Sequence, residues 1–318
     1  MSDINHCAIR WNILSLQAWE KRFKDLRRAN LLQSYAYAQA ACMINRQTAR
    51  WGVIEIDGRE AGLVQILEAG FFGNLIHAVI VDRGPLWFEG FGSTAHFKAF
   101  TAELNRQFPR RFGRKRRFIP EIEDNPKTRN ILKKNNFYPI GQHGYETIWV
   151  DLTQEENILM STLKAQSRNK LRKAQKADLT IEWDEKGAYL PWLLTTYSLD
   201  KKEKSYDGPS VKLLQALGRT FLPKNMLIGR ALINDKPVGA ILILCHGSGA
   251  TYQIGWSSQE GRKTAAHHRL LWDAFCVLKN KGIKDFDLGG VNDGTAKGVK
   301  QFKSGMGGHL VRLPGLYG

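Results

Sequence analysis

The 318-residue chain lacks the marks of several protein classes. Its four cysteines, Cys7, Cys42, Cys245 and Cys276, lie far apart and form no C-x-x-C pair. That spacing excludes a dense disulfide scaffold and a zinc ribbon, and leaves reduced core thiols of the kind a cytoplasmic protein carries. No apolar run approaches the roughly 18 residues of a membrane helix, so membrane contact is expected to be peripheral at most. The opening MSDINHCAIR is too polar for a signal peptide, and a cytoplasmic location is expected. There is no P-loop and no G-x-S-x-G, and His267-His268 is adjacent rather than spaced i, i+4, a poor metal pair. No metal and no tightly held cofactor is expected. Acids are also short: 30 Asp and Glu stand against 47 Lys and Arg, for a net charge of +17.

A surface this basic attracts polyanions, whether nucleic acid, anionic lipid or phosphorylated substrates. Both halves share the excess, with 22 basic against 14 acidic residues in 1–150 and 25 against 16 in 151–318. The densest cluster runs from Arg106 to Lys134 and holds eleven Lys or Arg; a second, Lys164 to Lys176, contains no acid. Solubility alone explains one such run. Two of them favour a polyanion partner.

The length fits about two domains of about 150 residues, and 43% hydrophobic residues with 15 Phe supply cores for them. Helical and strand periodicities alternate. In the first half, Leu16–Arg28 reads as an amphipathic helix and Ser34 caps a second one. Trp51–Glu68 reads as a hairpin turning at Asp57-Gly58, Leu75–Val81 as a buried strand, His96–Phe108 as a helix, and Tyr145–Leu152 as a closing strand. The second half repeats the order, with a helix over Gln154–Lys176 broken near Gln166-Ser167. It continues through strands at Met226–Ile233, Gly239–Cys245 and Ala250–Trp256 to a long helix from Thr264 to Lys281. This pattern argues an α/β fold with layered helices and sheets, divided near Val150 into 1–150 and 151–318.

The stretch from Asp285 to Gly308, DFDLGGVNDGTAKGVKQFKSGMGG, carries the chemistry. Phe286 and Leu288 alternate with Asp285 and Asp287 as in a short strand, which Gly289 and Gly290 end. Beyond a loop, Val299, Phe302 and Met306 recur at near-helical spacing beside lysines. A strand end, a glycine turn and a nearby cation suit a negative group. An ordinary strand–turn–helix with solvated lysines fits the residues equally well.

This stretch resembles the C-terminal signature of the FemABX family, a strand ending in D-x-G-G followed by G-x-x-x-F-K-x-x-x-G-G. Asp287, Gly289, Gly290, Gly298, Phe302, Lys303, Gly307 and Gly308 match it. Ser167 to Ala174 is similar to the family's R-N-x-(I/L)-R-K-A helix, and Leu32-Gln33-Ser34 with Tyr37 to its "LQS…W" entry, with Tyr for Trp. The resemblance implies two tandem GNAT-like acyltransferase domains, each a mixed central sheet flanked by helices. It implies an aminoacyl-tRNA donor and an amine acceptor on a peptidoglycan precursor, a small peptide or a natural product. Lys303 would then serve the tRNA 3′ end or the tetrahedral intermediate, and Arg168 an acceptor phosphate, with Arg172 one helical turn away on the same face. Phe302 would set the backbone or stack on a base. Asp287 could take the amine proton, a role no better founded than a plain strand end. Tyr252 and Trp256 lie on the strand that should splay from Asp285–Leu288 to admit the acyl group, with core packing the favoured role for Trp256. The acceptor is expected in a groove between the domains.

Two departures bear on this. A lysine expected a turn after the "LQS…W" aromatic is missing, which weakens a UDP-linked acceptor. The (Q/R)-x-x-G-x-(G/A) turn of acetyl-CoA enzymes has no register in Ser258–Ala265, which counts against an acyl-CoA donor. An N-acyltransferase using acyl-CoA or an acyl carrier protein, and a non-catalytic binder of nucleic acid or anionic lipid, remain the alternatives.

Overall fold

Residue period sets the two sheets of this protein, described from a computed structural model covering residues 4, 6–141, 144–291 and 297–318. By internal contacts the chain forms two units, Met1–Glu146 with Arg312–Gly318, and Thr147–Val311. The return of the last seven residues to unit 1 has no signal in the linear pattern. It rests on backbone pairing: the Phe118 and Tyr317 amides each donate to the other's carbonyl at 2.8 Å.

The chain runs through β1 (Cys7–Trp11), α1 (Leu16–Asp25), α2 (Tyr35–Asn45), β2 (Thr48–Ile56), β3 (Arg59–Phe71), β4 (Ile76–Gly84), β5 (Leu86–Trp87), α3 (Thr94–Gln107), β6 (Arg114–Pro120) and α4 (Pro126–Lys134). The first sheet has the order β1-β2-β3-β4-β6, with β5 on β3. The β2–β3 hairpin turns where expected, with Asp57 and Gly58 both at positive φ (48° and 77°), as a tight hairpin needs. The Ser34 hydroxyl caps α2 by accepting from the Tyr37 amide at 3.3 Å. Its neighbour Gln33 is buried and bridges two strands. Gln33 Nε2 donates to the carbonyls of Gln65 (3.1 Å) and Asp82 (2.8 Å), and its Oε1 accepts from the Gln65 amide at 2.7 Å. The Leu-Gln-Ser piece is therefore a structural clasp. Phe97, Phe100, Phe118 and Phe137 pack with Ile54, Ile66 and Val81 in this unit's core.

Then follow β7 (Tyr145–Asp151), α5 (Glu156–Thr162), α6 (Ala165–Lys176), β8 (Thr180–Asp184), α7 (Leu190–Lys204), α8 (Val211–Phe221), β9 (Met226–Ile233), β10 (Lys236–His246), β11 (Gly249–Ser257), α9 (Gln259–Lys263), α10 (Ala266–Asn280), β12 (Asp285–Gly290), α11 (Lys297–Gly305) and β13 (His309–Leu313). The second sheet has the order β13-β7-β12-β11-β10-β9-β8. Leu271, Phe275 and Leu278 of α10 point inward onto Ile241, Ile243 and Phe286, as their spacing requires. The helical run expected over Gln154–Lys176 breaks at Leu163-Lys164, a little before the expected place. The short α9 and the edge strand β13 were not legible. All four cysteines are free, and burial pushes the Cys245 thiol up to about 12. Among the described residues no helix is long and apolar enough to cross a membrane.

The Gln33 clasp is testable. Gln33→Ala leaves the buried Gln65 amide and two carbonyls short of partners, and should lower unfolding free energy by about 2–4 kcal/mol in urea titrations.

Candidate active site

The site lies where β11 and β12 part. The two strands pair in parallel over only three residues, Gly249–Thr251 with Asp285–Asp287. Yet β11 continues to Ser257 and β12 to Gly290. Past Thr251 and Asp287 the ladder stops, so the expected splay is present. A bulge accompanies it: Ile243 of β10 opposes Tyr252 while Leu242 opposes Ile254, which leaves Gln253 as the extra residue. At the end of β12, Gly289 turns with φ 75°. A Cβ there would stand 3.1 Å from the Tyr252 carbonyl oxygen and 3.4 Å from Lys303 Nζ. Glycine is needed on both counts.

Lys303 reaches this turn from α11. Its side chain is only 7% exposed, and Nζ donates to the Gly290 carbonyl at 3.0 Å. The ammonium lies 5.2 Å from the Tyr252 ring centroid, within cation–π range. Burial drives its pKa down to about 8, and the nearby Asp287 carboxylate opposes that shift. An ammonium has three donors. Among the described residues one is satisfied by protein, so the others can meet an incoming anion.

Glycines let α11 approach. A Cβ on Gly305 would stand 2.2 Å from Ser167 Oγ of α6, one on Gly307 2.5 Å from Thr162 Oγ1, and one on Gly308 2.6 Å from the Trp149 carbonyl oxygen. The Gly305 carbonyl also accepts from the Lys164 amide at 2.9 Å. The paired glycines of the signature thus have steric causes. Among the described residues nothing lies within 4 Å of a Cβ on Gly298, and the Lys297 side chain lies outside them.

Tyr252 and two histidines complete the group. The Tyr252 hydroxyl and His267 Nε2 share a hydrogen bond of 3.2 Å. Burial raises the Tyr252 phenol well above its ordinary range. It lowers His267 and His268 to about 4, helped by each residue's charged or titratable neighbour, His268 for the first and Lys170 for the second. All three side chains are therefore neutral at pH 7. Phe302 is held edge-on to both imidazoles, with centroids 5.7 Å and 4.9 Å away. Its ring is a packing element rather than an open platform for a base. His267 and His268, a poor metal pair by spacing, are part of the site. Adjacent histidines on the first turn of a long helix were the available signal.

Several expected residues have other work. Asp287 is fully buried, and its Oδ1 accepts from the Gly289 amide at 2.8 Å and from the Thr147 hydroxyl. It holds the turn. The Gly289 amide, spent on that carboxylate, is not offered to a substrate. Trp256 packs, the role that competes with substrate binding in its sequence reading. Simple alternation puts residues 252 and 256 on one face, but the bulge at Gln253 reverses the register. Tyr252 shares its face with Gly255, and Trp256 meets Trp192 of α7 at 5.8 Å. Arg168 uses Nη1 to hold the carbonyls of Ser161 (3.0 Å) and Leu163 at the end of α5. Arg172 is exposed on the same helix. Neither arginine contacts the Lys303 group among the described residues.

Much of the connection from β11 to α10 is engaged in its own hydrogen bonds, although no side chain caps α10. The Gly261 amide donates to Ser258 Oγ at 3.1 Å, and those of Arg262, Thr264 and His268 donate to the carbonyls of Ser258, Glu260 and Ala265. Amides engaged in this way do not form a cradle for a pyrophosphate. Among the described residues no cluster of His, Cys, Asp or Glu has the makings of a metal site.

The buried ammonium opposes stability. Its folded pKa lies below that of the unfolded chain, so folding disfavours the protonated form and stability should rise as pH increases from about 8 towards 10.5. Lys303→Met should therefore raise the melting temperature at pH 7, by up to about 3 kcal/mol in free energy, and flatten that rise. Calorimetry from pH 7 to 10 tests both.

Residues 161–304 match the family model described as an acetyltransferase (GNAT) domain. The fold is similar to that of FemX, with a TM-score of 0.77 at 15% identity over 97% of this chain and 96% of that one. A conserved protein of unknown function from Bacteroides thetaiotaomicron VPI-5482 superposes with a TM-score of 0.60 at 12% identity over 98% of both chains. A comparison with curated proteins finds no match. The chain is therefore similar in fold to FemX, an α/β protein of two units whose residues 161–304 match an acetyltransferase domain of GNAT type.

Proposed function

We propose that this acyltransferase moves an aminoacyl group from aminoacyl-tRNA to an amine, forming an amide on a peptidoglycan precursor, a small peptide or a natural product. The observation that carries this reading is the buried Lys303 ammonium at the β11–β12 splay, with N–H donors to spare among the described residues. In the reaction the amine nitrogen attacks the ester carbonyl and its oxygen becomes an oxyanion. The carbon–oxygen bond to the ribose then breaks, the amine loses a proton, and the ribose oxygen gains one. An ester is already activated, so no protein nucleophile is required. A fixed ammonium in a dry setting stabilises the oxyanion, the kind of preorganised electrostatics that is usually the largest catalytic contribution. Asp287 acts as a positioning residue, because it fixes the turn whose Gly290 carbonyl anchors Lys303.

The basic surface supports an RNA-borne donor. An acyl-CoA donor is the second reading, favoured by the acetyltransferase domain match. The hydrogen-bonded β11–α10 connection counts against it. Arg168 and Arg172 are proposed for an acceptor phosphate.

Two experiments test this. With charged tRNA and candidate amines, product detected by mass spectrometry should disappear on RNase treatment; product that survives, with coenzyme A thioesters required, would favour the second reading. Lys303→Ala should lower kcat by about 100-fold or more with acceptor binding little changed, whereas a non-catalytic binder would lose only one ionic contact. Lys303 is an ammonium below about 8 and an amine above it, so the rate should fall as pH rises through that value. Lys303→Arg should retain a reduced rate without that alkaline limb.

A further inference from the structure

The tip of the β3–β4 hairpin in unit 1 is apolar and exposed. Phe71 and Ile76 face each other as cross-strand partners, and Phe72 and Leu75 close the turn, the Leu75 amide donating to the Phe72 carbonyl at 3.2 Å. Their exposures are 64%, 53%, 83% and 63% in that order. Phe112, in the loop before β6, is 97% exposed. The two loops are joined. Arg111 Nη1 donates to the carbonyls of Leu75 and Phe112, both at 3.0 Å, and Nη2 to that of Asn74. The His77 amide donates to the Gly113 carbonyl at 2.8 Å. Phe72 sits at φ 51°, uncommon for a bulky side chain.

Five large apolar side chains are thus held out from one rim by backbone contacts. Scattered exposed hydrophobics are ordinary, but a contiguous group marks an interaction surface. The surrounding charge is of one sign. No Asp or Glu occurs between Glu68 and Asp82 or between Glu103 and Glu121. Much of the basic cluster is already engaged: Arg106, Arg117 and Arg129 pair with Glu103, Asp82 and Asp124, and Arg116 is buried, bonded to Asn105 Oδ1 at 2.8 Å. Arg110 and Lys115, which flank Phe112 in sequence, are exposed, Arg110 with its guanidinium 5.6 Å from the Tyr138 ring centroid.

We propose that this tip is an interfacial anchor, inserting Phe72, Phe112 and Leu75 among the acyl chains of an anionic bilayer while Arg110 and Lys115 meet the headgroup phosphates. Apolar insertion and basic attraction act together at such surfaces. Charge favours lipid over a second copy, because a two-fold contact here would bring the same cations face to face. Nucleic acid would use the rings for stacking but gain little from Leu75 and Ile76, which offer hydrocarbon only.

The test is sedimentation of the full chain with vesicles of phosphatidylcholine alone or with phosphatidylglycerol. Binding should require phosphatidylglycerol and weaken with salt. The variant Phe72→Glu with Phe112→Glu should bind at least about tenfold more weakly, with an unchanged melting temperature and unchanged transfer in vesicle-free assays. In a separate Phe112→Trp variant, tryptophan emission should shift to the blue on adding vesicles. Equal vesicle binding by wild type and the double-Glu variant, or no blue shift, would overturn insertion. So would a wild-type dimer dissolved by the double-Glu change in light scattering, or loss of tRNA binding alone. Transfer activity that fails with both proteins would count against the proposed reaction and leave the vesicle result standing.

Discussion

A charged ammonium held in the interior governs the second unit. Lys303 is buried beside a carboxylate and one backbone carbonyl, and taking a cation out of water is costly unless its surroundings compensate. The compensation is local and partial, as the lowered pKa records. Every neighbour has a part in keeping the charge there. Gly289 turns β12 so that Gly290 presents its carbonyl, Asp287 holds that turn through the Gly289 amide, and the wedge left by the short parallel pairing gives the side chain somewhere to point.

The same constraint explains the packing around α11. Three glycines bring its C-terminal end against α6, the end of α5 and the first strand of the second sheet, at distances no side chain allows. Phe302 is clamped by two imidazoles kept neutral by burial, so the helix cannot rotate without losing aromatic contacts. Arg168 fastens α5 to α6 from the other side. A motif read as substrate-binding is thus also scaffold. Such a double role suits a site whose reacting groups must be held rigidly in place.

Local signals suffice where the physics is local. The Asp57-Gly58 turn, the Ser34 cap and the inward stripe of α10 each depend on a few consecutive residues. The Asp285–Gly308 stretch also gathered Lys303, Asp287 and Tyr252's neighbour Gly289 at one place. What the sequence hides was decided elsewhere in the chain. Strand alternation by itself would put Trp256 on the face of Tyr252, because it assumes no extra residue. The bulge at Gln253 shows only against β10. The histidine clamp shows only once α10 and α11 are side by side.

From its order of residues alone the protein has its alternating elements, its excess of positive charge and the glycine–lysine segment near its end, because periodicity, caps, turns and charge are properties of neighbours along the chain. Which lysine loses its water, which carboxylate becomes a brace, and which phenylalanines stay in solvent at the β3–β4 tip were decided by the tertiary structure. Burial and partner distance depend on segments that meet only after folding.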